Sequence, residues 1–306
     1  MLSRIKKKLI DFVIHILVLP KWRMRGRYKR LIDLLNKLLT PESGLRKFLV
    51  SIRKKVGPHL VGEIYCEANI YGTRIKMIDD RQFDYYYPFS RGEIHEPALT
   101  LKLKKLLEES DSSTFVDIGA HYGYFTIYAG KLIGSAGQVI SIEPHIKFYH
   151  RLLKNIEING LKGIIRTLNV ALSEQEGKAQ MEGWDERVLH EVENGNIEVV
   201  TFDQLCEKES IRPDIIKIDV HGAEGKVLSG MPNTLQNKVA HLFCELHDDM
   251  QGYTTSKINQ ILRIAGLEVF ELAKHREESG GEIVPISDDL LSNHNDRMLY
   301  ARRKGN

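Results

Sequence analysis

The chain is 306 residues long and ordinary in composition, 42% hydrophobic and 28% charged, with three cysteines (Cys66, Cys206, Cys244) in no paired spacing. That length can bury a sizeable core, and the cysteine pattern argues against a disulfide framework or zinc knuckle and for a reducing, cytoplasmic setting. The net charge of +3 hides an asymmetry: residues 1–56 hold 16 Lys/Arg against 3 Asp/Glu and the rest hold 28 against 38, so the acidic body is a poor non-specific binder of nucleic acid.

Residues 1–56 read as a basic helical head. The run Leu9–Leu19 is apolar almost all round, preceded by Lys6-Lys7-Lys8 and followed by Lys21, Arg23, Arg25, Arg27, Lys29 and Arg30. Its 11 residues fall short of the roughly 20 that cross a bilayer. The following Pro20-Lys-Trp-Arg offers no small-residue cleavage site for a secretory signal. Two readings stay open: a helix lying on an anionic membrane with its Lys and Arg snorkelling, which would make the protein peripheral to the inner face, or a helix packed on its own domain or a partner protein. Oligomeric state is not legible.

From residue 57 to residue 97 the pattern shifts to short alternating runs. Glu63–Glu67 and Thr73–Ile78, broken by Asn69, Gly72 and Asp79-Asp80, predict a small antiparallel hairpin. Tyr85-Tyr86-Tyr87-Pro88-Phe89 would line a substrate cleft or simply pack a junction. Residues 98–306 make the main domain, opening with an amphipathic helix over Ala98–Glu109 that carries Leu99, Leu103, Leu106 and Leu107 on one face.

Strands and helices then alternate. We expect strands at 114–118, 138–142, 164–170, 214–220, 239–246, 267–273 and 296–303. Helices are expected at 123–133, 145–159, 203–208, near 224–237 and at 255–265, with a turn-rich insertion at 173–202. Such alternation predicts a parallel sheet covered on both faces. No helical pattern separates the last two strands, so the final one should enter antiparallel.

The informative stretch is Thr114-Phe-Val-Asp117-Ile-Gly119-Ala120-His121-Tyr-Gly123, where a strand turns tightly into a helix. A second strand ends in Glu143. A dinucleotide turn needs G-x-G-x-x-G to bring amides and a helix N-terminus to a pyrophosphate, and only Gly119 and Gly123 are present. Asp117 would repel a phosphate yet attract an ammonium or sulfonium, while Glu143 could accept both hydroxyls of a ribose. This pattern suits S-adenosylmethionine; the competing reading is a glycine turn that serves only helix–strand packing.

Five segments in order resemble the FkbM family of S-adenosylmethionine-dependent methyltransferases: Val116–Thr126, Val139–Pro144, Leu152–Gly160, Asn169–Leu172 and Ile215–Glu224. The similarity covers roughly residues 90–247, with the approach Arg91–Pro97 also alike. It implies an α/β fold, a class I methyltransferase (Rossmann-like) seven-stranded, mostly parallel sheet of order 3-2-1-4-5-7-6 with the last strand antiparallel, here carrying a helical N-terminal extension. It also implies O-methylation of a saccharide, glycolipid precursor or related hydroxylated metabolite, a form of glycan modification. Cofactor contacts are expected from Asp117, Gly119, Ala120, His121, Gly123, Glu143, Ala171 and Asp219. The chain departs from the family pattern twice: His121 replaces an asparagine, and Asp219-Val-His221-Gly222 replaces Asp-Val-Glu-Gly.

Methyl transfer from a sulfonium is an in-line displacement that must align the acceptor and, for a hydroxyl, help remove a proton. Asp219 and His221 lie two residues apart at one strand end, and Glu245 and His247 repeat that spacing on another. Three readings compete. Asp219 positions cofactor or acceptor while His221 or His247 acts as general base. Alternatively Asp219, His221, Glu245 and His247 bind a divalent metal, a possible but not favoured cofactor. In the third, Glu245 and His247 only cap and hydrogen-bond. For the protein as a whole, the alternatives to a methyltransferase are a non-catalytic relative that still binds the cofactor and an NAD-dependent oxidoreductase.

Overall fold

The computed structural model describes residues 65–78, 93–110, 113–182, 188–237, 239–247, 252–287 and 297–305. The basic head, the aromatic run Tyr85–Phe89 and the Arg91-Gly92 approach lie outside the described residues. Among those described, no helix is long and apolar enough to cross a membrane. The described residues divide between two units, residues 65–69 with 76–78 and 93 in one and residues 70–75 with 94–305 in the other. Strands β1 (Tyr65–Ile70) and β2 (Thr73–Ile78) make a two-stranded sheet. Their turn uses Tyr71 (φ 46°) and Gly72 (φ 91°), both left-handed, the geometry that matches the twist of a two-residue hairpin.

Helix α1 (Pro97–Glu108) precedes β3 (Thr114–Ile118), α2 (Tyr124–Ile133), β4 (Gln138–Ile142), α3 (Ile146–Ile158), β5 (Ile165–Leu168) and β6 (Ala171–Leu172). Strands β7 (Gly177–Glu182), β8 (Val188–Glu191) and β9 (Ile197–Val200) follow, then α4 (Phe202–Lys208), β10 (Ile215–Ile218), α5 (Glu224–Ser229) and α6 (Pro232–Asn237). The chain closes with β11 (His241–Leu246), α7 (Thr255–Ile264), β12 (Leu267–Leu272), β13 (Ile283–Pro285) and β14 (Arg297–Arg303).

The main sheet runs β13-β12-β14-β11-β10-β3-β4-β5, which is the expected order 3-2-1-4-5-7-6 read from the far edge, with β14 antiparallel to both neighbours. It has eight strands rather than seven, because β13 adds an antiparallel edge to β12. The insertion at 173–202 is likewise more than turns: β7, β8 and β9 join β6 in a second sheet of order β6-β9-β7-β8. The helix expected near 224–237 is two helices, α5 and α6. Gly230 and Met231 separate them, and Pro232 starts α6, as its missing N–H and fixed φ require.

One face of the sheet is apolar. Ile118, Ile142, Ile218 and Cys244 pack there with Phe202 and Leu205 of α4, Val227 of α5 and Ile258 of α7. The side chains that alternate with these point to the other face, and there the register aligns Asp117 with Ser141 on one side and Lys217 on the other. All three are buried. Strands β3 and β10 therefore end level, with Ile118 beside Ile218, while β11 places Cys244 beside Ile218 and runs two residues further, to Leu246.

Candidate active site

The turn after β3 is shaped by a close approach of two backbones. A Cβ on Gly119 (φ 79°) would lie 1.8 Å from the carbonyl oxygen of Asp219, so only glycine fits between these strand ends. Gly119 N and Ala120 N both donate to Ile142 O at 3.0 Å, His121 N donates to Glu143 Oε2 at 2.7 Å, and Gly123 N donates to Ala120 O at 2.8 Å. These amides are spent inside the protein and are not offered to a pyrophosphate.

Glu143 stands at the end of β4, buried, with Oε2 on His121 N and Oε1 accepting from His145 N at 2.8 Å. Burial pushes its carboxyl up to about 7 despite those two backbone donors. Each oxygen keeps acceptor capacity for a further donor. Asn169 Nδ2 fixes the strand end by donating to Glu143 O at 2.7 Å and Pro144 O at 3.0 Å. Beyond Glu143 opens a cleft whose apolar walls include Ile118, Ile142, Phe148, Val170, Ala171 and Leu172. That lining, mostly apolar with a few convergent polar groups, is the kind that holds a small molecule.

Across the cleft lie Asp219 and His221. Asp219 Oδ2 accepts from Lys217 Nζ at 2.9 Å, while its Oδ1 faces His221 Nδ1 at 3.3 Å and His247 Nε2 at 3.8 Å. Burial alone would raise the Asp219 carboxyl; Lys217 and the two imidazoles overcome it and hold the group well below the ordinary carboxylate range. Lys217 is 3% exposed, with its ammonium 5.0 Å from the centre of the Phe125 ring. Burial opposes its charge, but Asp219, Asp117, Glu96 and Glu245 outweigh that and hold it protonated above its ordinary range.

His221 adopts a left-handed backbone (φ 54°), followed by Gly222 (φ 104°). His121 does the same (φ 52°) at the turn after β3, so the two strand-end turns facing the cleft share one geometry. A non-glycine residue held there carries strain and marks a place where side-chain direction matters. The ring of His247 stacks on that of His221 with centroids 4.7 Å apart. Its Nδ1 lies 2.8 Å from Oε1 of the fully buried Glu224, which also accepts from Gly222 N at 3.1 Å. Burial works against its charge, yet the Glu224 contact, with Asp219 and Glu245 beyond, lifts His247 to about 9.

Gly119, His121, Glu143, Ala171, Asp219 and His221 line one cleft, with Ala120 buried in its turn. Gly123 (φ 87°) sits behind it, where a Cβ would meet Leu152. Asp117 points away to the other face: its Oδ2 accepts from Thr126 Oγ1 at 2.6 Å, and burial raises its carboxyl against the pull of Lys217. The four candidate metal ligands divide. Donor atoms of Asp219, His221 and His247 come within 4.8 Å of one another, whereas Glu245 pairs with Arg276 and lies 3.5 Å from His275 Nε2. Cys244 is buried, and burial pushes its thiol well up, away from nucleophilic use. Lys217 and Glu224 went unread in the sequence. The signal for Lys217 was there, a charged residue inside the apolar run Ile215–Ile218 of a central strand.

Residues 117–269, half of the chain, match the family model described as the methyltransferase FkbM domain. Over 183 residues the chain is 26% identical to hexuronic acid methyltransferase AglP of Haloferax volcanii, covering 58% of this chain and 72% of that one. It is 22% identical over 214 residues to methyltransferase 1 of Beauveria bassiana, covering 60% and 85% respectively. Among solved structures it is similar to methyltransferase FkbM from Methylobacillus flagellatus, with 18% identity, a TM-score of 0.41 and coverage of 62% of this chain. It spans 44% of that chain, less than half of its length.

Proposed function

Because the chain belongs to the FkbM methyltransferase family, we propose that it moves a methyl group from S-adenosylmethionine to a hydroxyl of a saccharide or saccharide-bearing lipid precursor. The observation that carries the cofactor reading is the pairing of spent turn amides with two carboxylates: the first βα turn offers no cradle for a phosphate, while Glu143 and Asp219 face the cleft. When bound, S-adenosylmethionine supplies a methyl group on a positively charged sulfur.

The residues present fit that group. Glu143 would accept the ribose hydroxyls, and the apolar walls at Ile142, Val170 and Ala171 would take the adenine. Asp219 keeps its negative charge and so favours a cationic ligand beside it. His221 lines the cleft, its Nδ1 contact with Asp219 orients the ring, and Nε2 would be the atom that receives a hydroxyl proton. His247 is a supporting partner in this reading: its Nδ1 is committed to Glu224 and its ring stacks behind His221. The saccharide class draws support from the printed name of the Haloferax volcanii relative, a hexuronic acid methyltransferase.

Isotopically labelled methyl donor offered with neutral sugars, uronic acids and their lipid-linked forms tests the proposal. The expected product is an alkali-stable methyl ether on a sugar. Label on a nitrogen, or an alkali-labile ester, would exclude the oxygen assignment. Cofactor binding without transfer to any member of such a panel would favour a non-catalytic relative, the reading that the departure at His221 keeps open.

A further inference from the structure

We infer that Glu96, Glu245 and His275 form a second, fully internal site that binds one divalent transition-metal ion and ties together three segments distant in sequence. The three side chains come from the approach to α1, the end of β11 and the turn after β12, and donor atoms of all three lie within 4.8 Å of one another. They are 5%, 2% and 3% exposed. Oε2 of Glu96 and Nε2 of His275 are buried with no hydrogen-bond partner among the described residues. The nearest charge to His275 Nε2 is Glu245 Oε1 at 3.5 Å, too long for a good hydrogen bond, and a buried carboxylate oxygen and a buried imidazole nitrogen left without hydrogen bonds are costly unless something fills the site.

The surroundings argue that a cation fills it. Around Lys217 the carboxylates of Glu96, Asp117, Asp219 and Glu245 gather. Arg276 pairs with Glu245 from the protein surface, and His95 Nε2 lies 3.2 Å from Glu96 Oε1. The acids still outnumber the lysine and arginine that offset them. A tetrahedral ion with bonds of ~2 Å holds its donors about 3.3 Å apart, close to the 3.5 Å between His275 Nε2 and Glu245 Oε1, and all three donors lie within 4.8 Å of one another. One imidazole with two carboxylates suits Zn²⁺, Mn²⁺ or Fe²⁺ better than Mg²⁺ or Ca²⁺.

The backbone is also built to present these ligands. Glu96 holds a left-handed conformation (φ 43°) immediately before Pro97. Ala98 N donates to His275 O at 3.1 Å, locking the two loops face to face, and Gly281 packs where a Cβ would meet that of Ala98 at 3.1 Å. The ion would staple the turn after β12 to the start of α1. This inference does not depend on the cofactor or the acceptor.

The test uses untagged, full-length protein, stripped with a chelator and titrated with Zn²⁺ and Mn²⁺ by calorimetry, with bound metal counted after gel filtration. We expect one equivalent per chain and a rise in the unfolding temperature on loading. Both should be lost in E96Q and in H275N and retained in H221N. Absence of stoichiometric binding to the wild-type chain would overturn the site without recourse to any variant. Binding that survives H275N but is lost in H221N would also overturn it, by placing the ion at Asp219, His221 and His247.

Discussion

Lys217 Nζ lies 2.9 Å from Asp219 Oδ2, so a lysine buried in the middle of β10 donates to the carboxylate at the end of the same strand, two residues on. The pair joins the charged interior of the sheet to the cleft, because Asp219 turns its other oxygen to His221. Removing Lys217 takes away the buried cation that offsets Asp117, Glu96 and Glu245 as well as Asp219. K217M should therefore destabilise the fold by about 3–5 kcal/mol, read by denaturant unfolding. Its sign with pH is fixed by the depressed Asp219 carboxyl: that stabilisation is present above the ordinary carboxylate value of 3.8 and is lost as pH falls below it. In K217M the loss should begin at higher pH; an unchanged acid limb would show that Lys217 does not hold Asp219 ionised.

Glu143 gives the opposite sign. Its folded value, about 7, lies above the ordinary 4.5, so its protonated form favours the native state. That contribution is complete below pH 4.5 and disappears as pH rises to about 7. E143Q should thus lose stability less than the wild type between those limits. Binding should run the other way: the carboxylate accepts sugar hydroxyls best when ionised, so S-adenosylhomocysteine should bind the wild type more tightly as pH rises through 7, with E143Q weaker and flat. Equal affinities for the two proteins would remove Glu143 from the site.

At Gly119 any side chain meets two obstacles, the left-handed φ of 79° and the Asp219 carbonyl 1.8 Å from the added carbon. The conformational term alone is about 1–2 kcal/mol. G119A should lower the unfolding temperature and abolish cofactor binding, because the two strand ends must part. G123A, whose Cβ meets the movable tip of Leu152, should be milder. A G119A protein that binds as the wild type does would mean the turn is only a packing device.

His221→Ala should reduce turnover by about 10²–10⁴-fold, the usual contribution of a general base, with affinity for S-adenosylhomocysteine changed little. His247→Gln should act mainly on the position of His221. Steady-state kinetics beside calorimetry separates the two, and near-normal turnover in H221A would sink its assignment as the base.

How much of this could be read from the sequence follows from the range of the interactions involved. Gly119, His121, Glu143 and His221 were legible because a strand-end turn is a local device, and residue type and spacing specify it. Asp117 reads as part of the same turn, yet the period-2 alternation of β3 sends it to the opposite face from Ile118, where it meets Thr126. Glu245 was grouped with His247 by spacing alone. The strand ends at Leu246, so the two side chains are not bound to one face, and Glu245 pairs with Arg276 from a turn that nothing local connects to it. Lys217, Glu224 and Glu96 depend on burial and partners supplied by tertiary packing. In the sequence they look like any charged residue. The second sheet was missed because its strands are short, and the break at Pro232 was missed although a proline there is a legible signal.

The central claim is that the cleft between Glu143 and Asp219 holds an adenosine-bearing sulfonium cofactor rather than a dinucleotide. Calorimetric titration of the purified protein with S-adenosylhomocysteine and, separately, with NAD tests it most directly. The prediction is saturable one-to-one binding of S-adenosylhomocysteine, weakened at least tenfold in E143A, with no heat from NAD in the same range. Saturable binding of NAD, or no binding of S-adenosylhomocysteine to the folded protein, would contradict it.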